Sequence, residues 1–123
     1  TIWSLTNLRS WIWTAASSVQ CLIDSHVHIE SSNLTVTGLA RAIVPRGVST
    51  LVAAPYEISN VLGLPGVELL LDEALGVPLD GMLRVPGRVP VLPAHLETSG
   101  DEKDLATTIE LLDRHDAVCL GGI

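Results

Sequence analysis

Two histidines one residue apart, His26 and His28, are the side chains of this sequence best suited to chemistry. They lie in the stretch 22–29, whose alternating pattern predicts a β-strand with Asp24, His26 and His28 on one face. The opposite face, which we expect to enter apolar packing, holds Ile23, Val27 and Ile29. Imidazoles held side by side on a strand are natural ligands of borderline divalent metals. The alternative for a bare His-x-His is two ordinary histidines on a half-buried strand.

The composition indicates one small α/β domain. The chain has 123 residues, of which 47% are hydrophobic, and its mean hydropathy is +0.42, which excludes a disordered chain. The apolar residues are mostly Leu, Val and Ala, with no Phe and one Tyr. This choice favours buried parallel strands covered by helices over a two-sided antiparallel sheet.

Charge and cysteine usage limit the partners and the location. The net charge is -7 and no basic cluster is present, so nucleic acid and anionic membranes are poor partners. No apolar run reaches the roughly 18 residues that a membrane span needs. Cys21 and Cys119 each sit in an apolar run, and we expect buried free thiols in a reducing compartment, the cytoplasm.

Residues 1–20 differ from the remainder, because they hold all three Trp residues, no acidic residue and no clear period. We leave this segment unassigned and predict one domain over 21–123. Within that domain, strands are expected at 22–29, 48–53, 81–85 and 117–120.

Three helices are expected between these strands. The first is capped by Thr35 or Thr37 and runs to about residue 44, with one apolar side made by Leu39, Ala40, Ile43 and Val44. The second follows a loop at 56–63 that contains one helical turn, and Pro65 lies in its first turn. Its inward face is expected to hold Val67, Leu70, Leu71 and Ala74. The third is capped by Ser99 or Asp101 and reaches about His115, with a buried face made by Leu105, Ile109 and Leu112.

Alternating strands and helices predict parallel strands joined by right-handed crossovers. No Gly-rich phosphate turn follows the first strand, which excludes a dinucleotide or P-loop site there. A doubly wound sheet could use the same alternation, and the fold class that we expect is a partial (β/α)8 TIM-type barrel with about four parallel strands and three crossover helices. Such barrels carry their sites at the carboxyl ends of the strands, where His26 and His28 lie.

The run Asp-Ser-His-Val-His-Ile-Glu-Ser-Ser at 24–32 resembles the opening strand of the amidohydrolase superfamily and, more narrowly, of the adenine deaminase family. Further matches lie at 40–42, 45–53, 57–63, 89–90 and 96–100, so the resemblance covers about residue 22 to the C-terminus. It implies a metal-dependent hydrolase of purine salvage, which converts adenine to hypoxanthine and ammonia. It also implies manganese or iron as the metal and His26 and His28 as ligands.

The sequence departs from that family after its second and fourth strands. Ala54-Pro55-Tyr56-Glu57 replaces the usual Asp-Pro-His-Glu, and Gly122 stands where the family has a metal-bridging glutamate. Glu57 is therefore the candidate catalytic carboxylate that remains. Glu30 is a candidate substrate contact, with a capping or solvated role as its alternative. The family's later ligands would lie beyond residue 123, so we expect a fragment or degenerate copy that is inactive alone.

Other interpretations of the sequence remain open. The chain could descend from another amidohydrolase that acts on a cyclic amide or a different aminated ring. It could also be a non-catalytic half-barrel, a remnant or a module that self-associates through the open edges of its sheet. His95 and His115 are expected to be a surface and a structural histidine.

Overall fold

The computed structural model describes residues 20–93 and 95–122. Its four strands are β1 (Leu22–Val27), β2 (Val48–Ala53), β3 (Asp80–Pro86) and β4 (Ala117–Gly121). They form one parallel sheet in the order β1-β2-β3-β4. The crossover helices are α1 (Val36–Ile43), α2 (Tyr56–Leu75) and α3 (Leu105–Leu112). This is the predicted partial TIM-type barrel, and the unassigned N-terminal segment lies outside the described residues except for Gln20.

Two apolar clusters hold the helices on the sheet. The first joins α1 and α2 to β2 and contains Leu39, Ala40, Leu51, Ala53 and Leu70. The second joins α2 and α3 to β3 and contains Val67, Leu71, Leu83, Val85 and Leu111. The predicted inward faces of α1 and of the second half of α2 are therefore confirmed. Because these side chains cover one face of β2 and β3, the middle of the sheet is better supported than its edges.

The start of α1 is fixed from two sides. The predicted cap Thr35 accepts the backbone N–H of Gly38 at 3.3 Å. Glu73 of α2 accepts the N–H groups of Val36 and Thr37 at 3.2 and 3.0 Å. Because the first turn of a helix has unpaired N–H groups, these bonds cap the N-terminus of α1 and also tie α1 to α2.

The first strand is shorter than predicted. β1 ends at Val27, so His28 lies just beyond it, and the chain turns into a single 3-10 turn at Glu30–Ser32. Ile29 is buried as expected, but Ile23 is 66% exposed, which contradicts its predicted apolar packing. The reason is that β1 is an edge strand with register shifts against β2, and no described element covers its outer face.

The stretch predicted as a loop, 56–63, is helical from Tyr56. Glu30 accepts the N–H of Ile58 at 3.1 Å and so supplies a cap that the local sequence does not show. Gly63 breaks the helix with φ 62° and ψ -145°, a backbone conformation that favours glycine. Pro65 follows in the first turn of the second half, as predicted.

The third helix differs from the prediction in its ends and in its buried face. Its cap is Asp104, which accepts the N–H of Thr107 at 2.8 Å, and it ends at Leu112 instead of His115. Leu111 is the buried residue, at 1% exposure. The predicted buried positions are exposed, at 75% for Leu105, 55% for Ile109 and 40% for Leu112. No element in the described ranges packs against that face.

The cysteine prediction was wrong about burial. Cys21 and Cys119 are free, but both are exposed, because they lie at the two edge strands. Within the described ranges, no helix combines the length and the apolar character needed to cross a membrane.

The position of Leu111 allows a direct test of the α3 face. We expect Leu111→Ala to lower the free energy of unfolding by about 2–5 kcal/mol, because it empties a buried site among Val67, Leu83 and Val85. Leu105→Ala on the same helix is the matched control, and we expect a change of about 0.5 kcal/mol or less because that side chain is exposed. Urea denaturation measures both. An equal loss in the two variants would contradict the observed face.

Candidate metal centre

The two predicted ligands lie side by side at the carboxyl end of β1. The ring centroids of His26 and His28 are 5.2 Å apart. His26 is exposed, and its backbone N–H donates to the carboxylate of Asp24 at 3.1 Å. His28 is half-buried beyond the end of the strand. The geometry brings the two imidazoles together, while their role as metal ligands stays a prediction.

Glu57 holds His28 in place from the first turn of α2. Its Oε2 lies 3.0 Å from Nδ1 of His28, and its Oε1 accepts the hydroxyl of Ser31 at 2.6 Å. Both carboxylate oxygens are therefore engaged. A carboxylate on one ring nitrogen leaves the other nitrogen, Nε2, available to a metal, which is the usual arrangement around metal-binding histidines.

The protonation of this pair follows from its hydrogen bonds. Burial raises the pKa of Glu57, but the hydrogen bonds from Ser31 and His28 together outweigh it and hold that pKa below its usual range. Glu57 is therefore a carboxylate at neutral pH and can only accept. A neutral His28 must then carry its proton on Nδ1. The carboxylate positions His28 in this structure, and a catalytic role for Glu57 stays a prediction.

Glu30, the candidate substrate contact, faces the backbone of α2. Its Oε1 accepts the N–H of Ile58, and its Oε2 is buried without a hydrogen-bond partner among the described residues. This is the capping role that the sequence left as the alternative. Contact with substrate through Glu30 stays a prediction.

Tyr56 occupies the space beside the histidines. Its ring stacks on that of His28, with centroids 5.5 Å apart and planes 29° apart. Its hydroxyl lies against Gly121 and Gly122 at the end of β4, and a Cβ on Gly122 would overlap that oxygen. Gly122 also has φ +59°, which side chains rarely adopt. The phenol therefore fills the space that a ligand at position 122 would need.

The donor set can be compared with what a catalytic metal requires. Such sites use three protein ligands and one open position. In the described part of the chain, no three His, Cys, Asp or Glu side chains are grouped closely enough to hold an ion. Two imidazoles fit one side of a metal site, and the ring of Tyr56 lies stacked on that of His28.

The remaining candidates lie elsewhere. His95 and His115 are both exposed. Glu97 accepts the side-chain amide of Asn60 and the N–H of Leu92, each at 2.8 Å, and so ties the loop after β3 to α2.

Comparison with known proteins gives one consistent relationship, although no family model matches the chain. The chain is 48% identical over 99 residues to an adenine deaminase of Methanothrix thermoacetophila. It is 48% identical over 103 residues to that of Archaeoglobus fulgidus and 40% over 102 residues to that of Mesorhizobium japonicum. These matches cover 80%, 84% and 83% of this chain, in the same order.

The chain is a relative of the adenine deaminases. It spans only 17% of the length of the Methanothrix adenine deaminase and 18% of the Archaeoglobus one. The relationship thus concerns one segment of those proteins. The resemblance to adenine deaminases that the sequence predicted is confirmed over this segment.

Tyr56 and Gly122 are separate departures from the adenine deaminase pattern in the sequence, but they touch in the structure. Arg84, which no sequence motif indicates, lies against Gly121 beside the Tyr56 hydroxyl. The sequence did contain a signal for the contact between Tyr56 and Gly122. Relative to the adenine deaminase pattern, the larger residue Tyr56 follows β2 and the smaller residue Gly122 follows β4, and such strand ends lie at the same end of a parallel barrel.

The bond between His28 and Glu57 predicts a fixed tautomer. We expect neutral His28 to carry its proton on Nδ1, and Glu57→Ala to release this preference, because the acceptor is gone. Nitrogen-15 NMR of the imidazoles distinguishes the tautomers. Glu97→Ala is the matched control, since that carboxylate contacts Asn60 instead of a histidine. A proton on Nε2 of His28 in the unaltered chain would contradict the arrangement.

Proposed function

We propose that this chain carries the first-strand metal ligands of an adenine deaminase-type hydrolase, as a fragment or degenerate copy that is inactive alone. The parent reaction is the hydrolytic deamination of adenine to hypoxanthine and ammonia in purine salvage, in the cytoplasm. The observation that supports it most is the placement of His26 and His28 at a barrel strand end, within a chain related to adenine deaminases.

In this proposal the two histidines present Nε2 to a divalent metal, manganese or iron. The metal, when bound, would lower the pKa of water and so supply a nucleophile near neutral pH. Glu57 and Ser31 keep the ring of His28 in one tautomer and one orientation. His26 has no such side-chain partner in the described part of the chain.

Inactivity of the chain by itself follows from its own residues. Two imidazoles are fewer than the three ligands that a catalytic metal needs. Tyr56 prevents a ligand from entering at position 122, and Ala54 offers no donor atom. The chain therefore binds metal weakly and does not position a reactive water.

Metal binding and ammonia release test this proposal. We expect weak binding of Mn²⁺ that His26→Ala or His28→Ala abolishes, and no ammonia from adenine. His115→Ala is the matched control and should leave binding unchanged, because that histidine is exposed and outside the pair. Tight binding of Mn²⁺, or ammonia release by the metal-loaded chain, would overturn the hypothesis that the chain is inactive alone. Binding that survives loss of both histidines would overturn the site.

A double replacement tests the steric part of the proposal. We expect Gly122→Glu alone to bind metal no better, because the new side chain meets the Tyr56 phenol. Combined with Tyr56→His, it should bind Mn²⁺ at least tenfold more tightly than the unaltered chain, because it supplies further ligands. Calorimetric titration measures both variants. A gain in the single variant equal to that of the double variant would show that Tyr56 is no obstacle.

A second candidate function is a non-catalytic module that self-associates, and the exposed sheet edges favour it. β1 and β4 are the outer strands of the sheet. Their exposed apolar residues are Leu22, Ile23, Val118 and Leu120. Unpaired strand edges next to apolar surface favour pairing with another strand.

Sedimentation tests this second candidate. We expect the chain to associate at micromolar concentration and Leu120→Lys to weaken association at least tenfold, because it places a charge on the exposed β4 edge. Leu75→Lys is the control, since Leu75 is exposed at the far end of α2. A monomer at every concentration would exclude self-association.

A further inference from the structure

Two buried hydrogen-bond donors meet at the end of the sheet without a partner. The ideal Cβ position of Gly121 lies 2.5 Å from Nε of Arg84 and 2.8 Å from the hydroxyl oxygen of Tyr56. Both atoms are shielded from solvent, and neither has a hydrogen-bond partner among the described residues. The two donors therefore lie close together beside the backbone of Gly121, which carries no side chain.

The sheet register explains why they meet there. Arg84 of β3 pairs with Cys119 of β4, and Pro86 pairs with Gly121, after a register shift at the start of β4. Leu83 and Val85 face the helices, so Arg84 faces the opposite side, which is the inside of a barrel. Tyr56 reaches the same place from the first turn of α2.

Their chemistry specifies the ligand. Arg84 is permanently charged and can only donate, and in the described ranges no carboxylate forms an ion pair with it. Leaving such donors buried and unpaired is costly, which suggests an acceptor that the chain itself does not supply. A divalent cation is disfavoured by a neighbouring guanidinium. An oxygen anion satisfies both donors with charge-assisted hydrogen bonds.

We propose that Tyr56 and Arg84 form a binding site for a small oxyanion, a carboxylate or a phosphate, at the carboxyl end of the sheet. A second guanidinium, that of Arg88, lines a cleft together with Tyr56 and Asn60. Glu57 also lines this cleft, but its charge is engaged by Ser31 and His28. The site is independent of the proposed hydrolytic activity, since it uses neither histidine.

NMR titration of the full chain tests the site. Acetate and inorganic phosphate are added in separate experiments at constant ionic strength, and the Nε–H resonance of Arg84 is followed. We expect a saturable shift with at least one of them, and the anion that binds more tightly identifies the ligand. A resonance that does not move, or that drifts without saturation, would overturn the proposal.

Three variants separate a specific site from general attraction to positive charge. Calorimetry should show that Arg84→Met weakens binding at least tenfold and that Tyr56→Phe, which removes only the hydroxyl, weakens it several-fold. Arg41→Met is the matched control, because it removes the same charge from the exposed surface of α1 and should change nothing. Equal losses in Arg41→Met and Arg84→Met would contradict a specific site.

Arg84→Lys covers the case in which Arg84→Met fails to fold. It keeps the charge but removes the Nε–H, so we expect binding weakened several-fold in a folded chain. Unchanged binding in both Arg84→Lys and Tyr56→Phe would overturn the proposal. Neither measurement depends on adenine or on metal. A negative result for anion binding can therefore be distinguished from a failure of the proposed hydrolase function.

Discussion

The candidate centre depends on reciprocal hydrogen bonds, made by two carboxylates, between the end of β1 and the start of α2. Glu57 of α2 reaches back to His28 and Ser31, while Glu30 reaches forward to the N–H of Ile58. Each carboxylate satisfies donors that belong to the other segment. Because each segment provides a carboxylate to the other, the turn after β1 and the first turn of α2 are fixed relative to each other. The orientation of His28 is a consequence of these hydrogen bonds.

Two departures from the adenine deaminase pattern, Tyr56 after β2 and Gly122 after β4, are connected in the structure. A tyrosine after β2 needs room, and glycine at 121 and 122 leaves that room on the neighbouring strand end. Arg84 enters the same space from β3. Where the resemblance implies a metal-bridging glutamate, this strand end has a glycine, with hydrogen-bond donors and a positive charge beside it. Its electrostatic preference is therefore for an anion, while the His-x-His strand is intact.

Much of the fold was predictable because the decisive signals are local. The apolar runs at β2 and β3, the Thr35 cap and the periodic second half of α2 all indicated the structure that forms. The sequence did not predict that 56–62 is helical, because the cap comes from Glu30, far away in the chain. The α3 face was wrong because three apolar residues at helical spacing indicate burial, whereas nothing in the described ranges covers them.

The grouping of His26, His28 and Glu57 was also predictable from local sequence, while their roles stay predictions. His26, His28 and Glu57 belong to a contiguous motif or to a match beside it, so the sequence could indicate them. The contact of Tyr56 with Gly122 and the position of Arg84 depend on the register of β3 against β4, which includes a shift. Register between parallel strands is set by packing across the whole sheet, and one strand's sequence does not contain it.

The unequal support of the two histidines limits what the pair can bind. His28 is held by Glu57 on one side and by the Tyr56 ring on the other. His26 lies exposed on the edge strand, without a side-chain partner in the described part of the chain. Ordering a free side chain on binding costs about 0.5–1.5 kcal/mol. A metal that uses both imidazoles must overcome that cost at His26 and not at His28, so support for β1 from a neighbouring strand would strengthen the site without any new ligand.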